Sequence, residues 1–171
     1  ATFEWVLEPD ELPVHGKLYT DGSRIDGPPR HSGLCGRLGW GLAVANAAGN
    51  IVATASGSTP PWIRTVPGAE IWALLQAALA FGDAPAYSVD CMAVVQMYAK
   101  GLKKATAASS VFAGIWCLVP TAWDGSDAVD LAWMPSHTAT ADIGVCTLSN
   151  GFTLTEVDRD ANAIADELAK S

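Results

Sequence analysis

Two spacings of apolar residues divide the chain. Up to about residue 58 they come in short β-prone runs separated by glycine and proline; from Pro67 onward they recur at helical intervals. Lys17–Ser23 predicts a first strand that delivers Asp21 into a glycine turn. Trp40–Ala45 and Ile51–Ala55, joined by Ala48-Gly49-Asn50, predict two more strands in an antiparallel meander that Pro60-Pro61 ends. Residues 1–13 show no clear period and are expected to form an extension or linker. Residues 14–171 are expected to form one domain.

In the second part, Ile71, Leu74, Leu75, Ala78 and Leu79 fall on one face of an amphipathic helix, with Glu70 in its first turn. Ala86–Val89 predicts a short strand that can lie parallel to the first and ends at Asp90, ahead of a helix from Cys91 to Lys100. Ser109 or Ser110 can cap a helix running to about Trp123, and Val129–Met134 predicts a fifth strand leading to Pro135-Ser136-His137-Thr138. Residues 139–157 carry no assignable period. Asp158–Lys170 closes the chain as a helix with Ala161, Ile164, Ala165 and Leu168 inward, which sets Asp166 on a different side from Leu168. The expected fold is α/β, a mixed five-stranded sheet with three antiparallel strands followed by two parallel ones, flanked by helices.

Composition changes this picture in three ways. A chain of 171 residues that is 50% hydrophobic can bury a sizeable core in one domain. It has no long uninterrupted apolar window and no signal-peptide pattern, so an intracellular protein, cytoplasmic or nuclear and not secreted, is expected, with no membrane partner. Because the sequence opens on Ala1, it is expected to be a segment of a longer polypeptide. Cys35, Cys91, Cys117 and Cys146 never form a Cys-x-x-Cys pair, which argues against a zinc or redox motif and for free thiols. The net charge of −8 speaks against a broad basic face for nucleic acid. Positive residues gather locally instead, at Arg24, Arg30, His31 and Arg37 around a Gly/Pro-rich loop and at Lys103 and Lys104.

Taken singly, the acids have local explanations: Asp21 a turn, Glu70 a partner for the helix dipole, Asp90 an N-cap. Together they fall at the ends of elements that can converge. The motifs Tyr-Thr-Asp-Gly-Ser at 19–23, Gly-Ala-Glu at 68–70, Val-Asp at 89–90, Pro-Ser-His-Thr at 135–138 and Asn-Ala-Ile-Ala-Asp-Glu-Leu-Ala at 162–169 stand in an order that resembles the type 1 ribonuclease H domain.

That resemblance implies a ribonuclease H-like fold and an endoribonuclease that cuts the RNA strand of RNA–DNA hybrids by a two-metal-ion mechanism, leaving 5′-phosphate and 3′-hydroxyl ends. It implies Asp21, Glu70, Asp90 and Asp166 as ligands of two Mg²⁺ ions, with Mn²⁺ as substitute, and His137 as a mobile catalytic histidine. Hard divalent cations require such oxygen ligands, and four crowded carboxylates without them would repel. Ser23, Arg24, Arg30, Thr65, Lys103 and Lys104 are the expected substrate contacts, Thr65 matching a threonine that helps hold the DNA phosphate. The amides often found beside the second and third acids are replaced by Val66-Pro67-Gly68 and Cys91-Met92, and His137 and Asp166 stand further apart than is usual. A larger polypeptide or polymerase domain is expected to supply affinity. The competing expectations are a catalytically silent connector or binding domain, and another nuclease or integrase on the same fold.

Overall fold

The structure, a computed structural model, describes residues 1–11, 15–25, 36–82, 86–123 and 129–171. Its centre is a mixed sheet of strands β1 (Glu4–Leu7), β2 (Lys17–Ile25), β3 (Arg37–Ala45), β4 (Ile51–Ser58), β5 (Ala86–Val89) and β6 (Leu131–Trp133), in the order β1-β4-β3-β2-β5-β6. β1 to β4 pair antiparallel through β3 to β2, and β5 and β6 add in parallel beyond β2. Helices α1 (Val66–Phe81), α2 (Met92–Ala99), α3 (Leu102–Ala105), α4 (Ala113–Trp116), α5 (Val119–Ala122) and α6 (Glu156–Ala169) complete the chain.

Alternation along the central strands assigns the two faces. Leu18, Leu42 and Val44 join Leu74, Leu75, Trp116 and Trp123 in the larger core, under α1 and the short helices. Tyr19, Ala43 and Ala45 face the other way, against Leu148, Leu154, Ala161 and Ala165. Within α1, Ile71, Leu74, Leu75 and Ala78 are buried as expected, whereas Leu79 is exposed.

Four expectations are corrected. The sheet has six strands, not five: Phe3 and Trp5 pack their rings on Trp40 and Phe81, drawing Glu4–Leu7 onto β4. Asp21 lies in the middle of a nine-residue strand rather than at its end. Gly22 is extended because its missing Cβ leaves room for the backbone of Ala69 and Glu70, and it makes no turn. The helix expected to run from Ser109 or Ser110 to Trp123 is two short pieces, with Pro120 in the first turn of the second. The fifth expected strand shortens to Leu131–Trp133.

Of residues 139–157, those up to 155 fold as a compact loop that opens on a short 3-10 turn at Thr140–Asp142, and Glu156 and Val157 already belong to α6. The loop's hydrogen bonds run from Gly144 N to Leu154 O, Leu154 N to Cys146 O and Leu148 N to Phe152 O, so Leu148 and Leu154 point inward without any helical or strand period. Cys91, Cys117 and Cys146 are free thiols; Cys35 lies outside the described residues. Among the described residues no helix is long and apolar enough to cross a membrane.

Candidate active site

The parallel register places the first two acids. Thr20 of β2 pairs with Val89 of β5, the last residue of that strand, so Asp21 and Asp90 emerge side by side where the parallel pairing stops. In α/β sheets this is where ligands collect, beyond the carboxyl ends of parallel strands. The Trp133 indole donates to the Asp90 carbonyl at 3.1 Å and holds that end of β5 in place.

Glu70 reaches the same point from α1. The helix starts where Thr65 accepts from Gly68 N at 3.4 Å, with Pro67 in the first turn, and it can rest on β2 because Gly22 has no side chain. Asp166 comes from α6 on the opposite face. Gly41, the cross-strand partner of Asp21, and Gly39 bring α6 close, since a Cβ at either would run into the backbone oxygens of Ala165 and Ala169.

Carboxylate oxygens of Asp21, Glu70 and Asp90 lie within 4.8 Å of one another. Asp166 and Lys170 line the same cleft, of about 330 Å³, together with Ser23, Arg24 and His137. Lys170 Nζ donates to Asp166 Oδ2 at 2.5 Å, an internal cation beside the cluster.

Electrostatically the cluster is costly as it stands. Burial, and then the charge of Asp90, push the Asp21 carboxyl up to about 8. Burial, and then the charges of Asp21 and Asp90, hold Glu70 well above the usual carboxylate range. Burial raises Asp90 as well, against the lowering effect of a hydrogen bond from the Asn162 side chain. Glu70 Oε2 is buried with no hydrogen-bond partner among the described residues.

His137 sits on the loop after β6, exposed at this cleft, with a φ of 50°. Its charge lowers the Asp90 pKa. Of the expected substrate contacts, Ser23 and Arg24 line the cleft. Thr65 caps α1 and Lys103 and Lys104 are exposed on α3; none of the three lines the cleft. Arg30, with His31, lies outside the described residues. Asn162 and Lys170 were not among the residues singled out from the sequence. The signal that could have found them is their spacing, four residues either side of Asp166 on one helix.

No protein-family model matches the sequence, and no curated protein matches it. Solved structures do. The solution structure of the prototype foamy virus RNase H domain superposes with a TM-score of 0.65 at 21% identity, over 90% of this chain and 91% of that one. RNase H1 from the halophilic archaeon Halobacterium salinarum NRC-1 gives a TM-score of 0.56 at 20% identity, over 91% and 94%. The foamy viral protease-reverse transcriptase in complex with RNA/DNA hybrid gives 0.62 at 17%, over 96% of this chain but only 21% of that much longer one. At these identities the likeness is one of architecture, and by it the chain has the ribonuclease H fold.

Proposed function

We propose that this domain is a metal-dependent endoribonuclease that hydrolyses the RNA strand of RNA–DNA hybrids, leaving 5′-phosphate and 3′-hydroxyl ends. The observation that carries the reading is the convergence on one cleft of Asp21 from β2, Glu70 from α1, Asp166 from α6 and Asp90 from the position just after β5. Three of them are packed so closely that their charged forms are disfavoured. A scaffold gains nothing from such a cluster, whereas hard divalent cations gain a set of oxygen ligands.

The residues fit such ions. Glu70 Oε2 is buried without a hydrogen-bond partner among the described residues, and the raised carboxyls of Asp21, Glu70 and Asp90 would ionise fully once a cation neutralised them. Asp21, Glu70, Asp90 and Asp166 would hold two Mg²⁺ ions, or Mn²⁺ in their place. When bound, the ions supply Lewis acidity and charge neutralisation for in-line displacement at phosphorus.

The remaining groups act around that centre. Asp21, whose carboxylate lies close to those of both Glu70 and Asp90, would be central to holding the ions. Asn162 fixes the Asp90 carboxylate, and Lys170 holds that of Asp166. His137, on an exposed loop at the cleft, can carry a proton between the site and solvent. Ser23, Arg24, Arg30, Thr65, Lys103 and Lys104 contact the substrate, and a larger polypeptide carrying a polymerase adds affinity.

Incubation of the protein with end-labelled RNA–DNA hybrid, duplex RNA and duplex DNA, with Mg²⁺, Mn²⁺ or chelator, tests the proposal. Metal-dependent cutting of the hybrid's RNA strand alone is expected. Intact hybrid in both metals, from folded protein, overturns the reading in favour of a silent domain of this fold.

A further inference from the structure

A second and larger cleft adjoins the carboxylate site. It encloses about 840 Å³ between the start of β3, the segment after β4 and the approach to α1, and three arginines line it: Arg24, Arg37 and Arg64. No carboxylate lines it among the described residues. In a chain with 18 acidic and 10 basic residues, its described lining runs against the molecule's overall charge.

The two clefts share a wall. Arg24 lines both, and its guanidinium lies against the position of Gly36, one residue from Arg37. Arg64 and Glu70 belong to the same short run of chain, ahead of α1 and in its second turn rather than the first turn expected from the sequence, and they line the arginine cleft and the acidic cleft respectively. A strand whose reacting phosphodiester lay on the carboxylates would therefore meet Arg24 and, beyond it, the other two guanidiniums. Three guanidiniums thus line one concavity. Guanidinium is also the side-chain group best matched to phosphate, through paired N–H donors.

We infer that the Arg24–Arg37–Arg64 cleft is a subsite for the phosphate backbone, holding the stretch of nucleic acid that flanks the bond to be cut. This rests on the hydrolase reading above and deepens it by giving the substrate a direction of exit from the acidic cleft. It adds Arg37 and Arg64 to the binding surface, beside β3 and the approach to α1, in addition to the lysines of α3.

The test is binding of a short fluorescein-labelled RNA–DNA hybrid, followed by anisotropy in chelator so that the strand stays intact, across a series of salt concentrations. The protein is compared with the double variant Arg37→Gln/Arg64→Gln and with Arg159→Gln, a charge-loss control on α6 whose guanidinium is bound to Asp160 and Thr140. Each lost phosphate contact lowers the slope of log K against log salt by about 0.9, so the double variant is expected to lose about 2 units of slope and on the order of tenfold in affinity near 0.1 M salt. Arg159→Gln is expected to stay within about twofold of the parent, because its guanidinium is already paired with Asp160 and lines neither cleft.

An unchanged slope in the double variant, with hybrid still cut by the parent in Mg²⁺, overturns the subsite and leaves the hydrolase reading standing. A parent that neither binds nor cuts any polynucleotide overturns both. Loss of binding to an acidic peptide in the double variant, with hybrid binding intact, reassigns the cleft to a protein partner and overturns the inference.

Discussion

Asp21 concentrates the electrostatic conflict of the site. Its carboxyl is raised to about 8 by burial first and by Asp90 second, so without metal the folded protein holds a proton there that the unfolded chain releases near pH 4. Between those values the native state binds more protons than the unfolded state, and stability must fall as pH rises through that window. Asp21→Asn removes the titration. In chelator the variant is expected to melt above the parent at pH 8, by about 4 °C or more, and to match it near pH 4. In Mg²⁺ it should cut no hybrid while remaining folded. Melting curves at the two pH values and a single-turnover cleavage assay check both halves; equal melting temperatures at pH 8, or near-normal turnover, would remove Asp21 from the centre of the site.

Asp158 has the opposite sign. Burial alone would raise its carboxyl, but Lys17 Nζ and Tyr19 OH, each at 2.6 Å, together with the Thr155 amide and hydroxyl, hold it below the usual carboxylate range. Its contribution to stability is present above the unfolded value near pH 4 and is lost as pH falls through the lower folded value.

At the scale of elements, α6 carries two neighbouring stripes. Ala161, Ala165 and Ala169 are buried, the last two against Gly41 and Gly39 of β3, while Asp158, Asn162, Asp166 and Lys170 run beside them, four residues apart. The polar stripe is anchored at one end, where Asp158 caps the helix and ties it to β2, and reaches the acidic cleft at the other. Asp158→Ala removes the cap and breaks the buried pair, and is expected to cost about 2–4 kcal/mol in denaturant unfolding. Gly41→Ala puts a methyl group into the backbone of α6 at Ala165. It is expected to cost about 1–3 kcal/mol and, by pushing Asp166 away from Asp21, to weaken Mg²⁺ binding by titration calorimetry. A Gly41→Ala protein with unchanged metal affinity would mean that Asp166 takes no part in holding the ion.

How much of this was legible in the sequence follows from which signals are periodic. α1 and α6 announce themselves through apolar spacing, and with them the places of Glu70 and Asp166. β5 and the acid after it follow from a short β-prone run between helices. Asp21 was expected at a turn because Asp-Gly-Ser has the residues of one, yet the glycine serves a helix that lies far along the chain, and no local pattern encodes such a contact. β1 was hidden for a similar reason: what holds it is ring packing of Phe3 and Trp5 on Trp40 and Phe81, tertiary contacts with no period. The loop at 139–155 hides its two inward leucines because turns, not a helix or strand, bring Leu148 and Leu154 to one side.

For the whole molecule, charge decides how the domain can meet a polyanion. With −8 overall, and still about −4 after two divalent ions bind, the domain's positive charge is local among the described residues, at the Arg24–Arg37–Arg64 cleft and at Lys103 and Lys104. Few phosphates can be neutralised, and each adds only about 0.9 to the salt slope, so the isolated domain is expected to bind hybrid with a shallow slope and a KM in the micromolar range or above, as for roughly nonspecific affinities. Fusion to a basic hybrid-binding partner raises the local concentration of substrate without altering the carboxylate cluster, and is therefore expected to lower KM far more than it changes kcat. Steady-state kinetics of the domain alone and of the fusion, at several salt concentrations, check this. Nanomolar affinity of the isolated domain, with a slope as steep as that of about six or more phosphate contacts, would mean that a broad binding surface exists elsewhere on the molecule and that the local clefts are secondary to it.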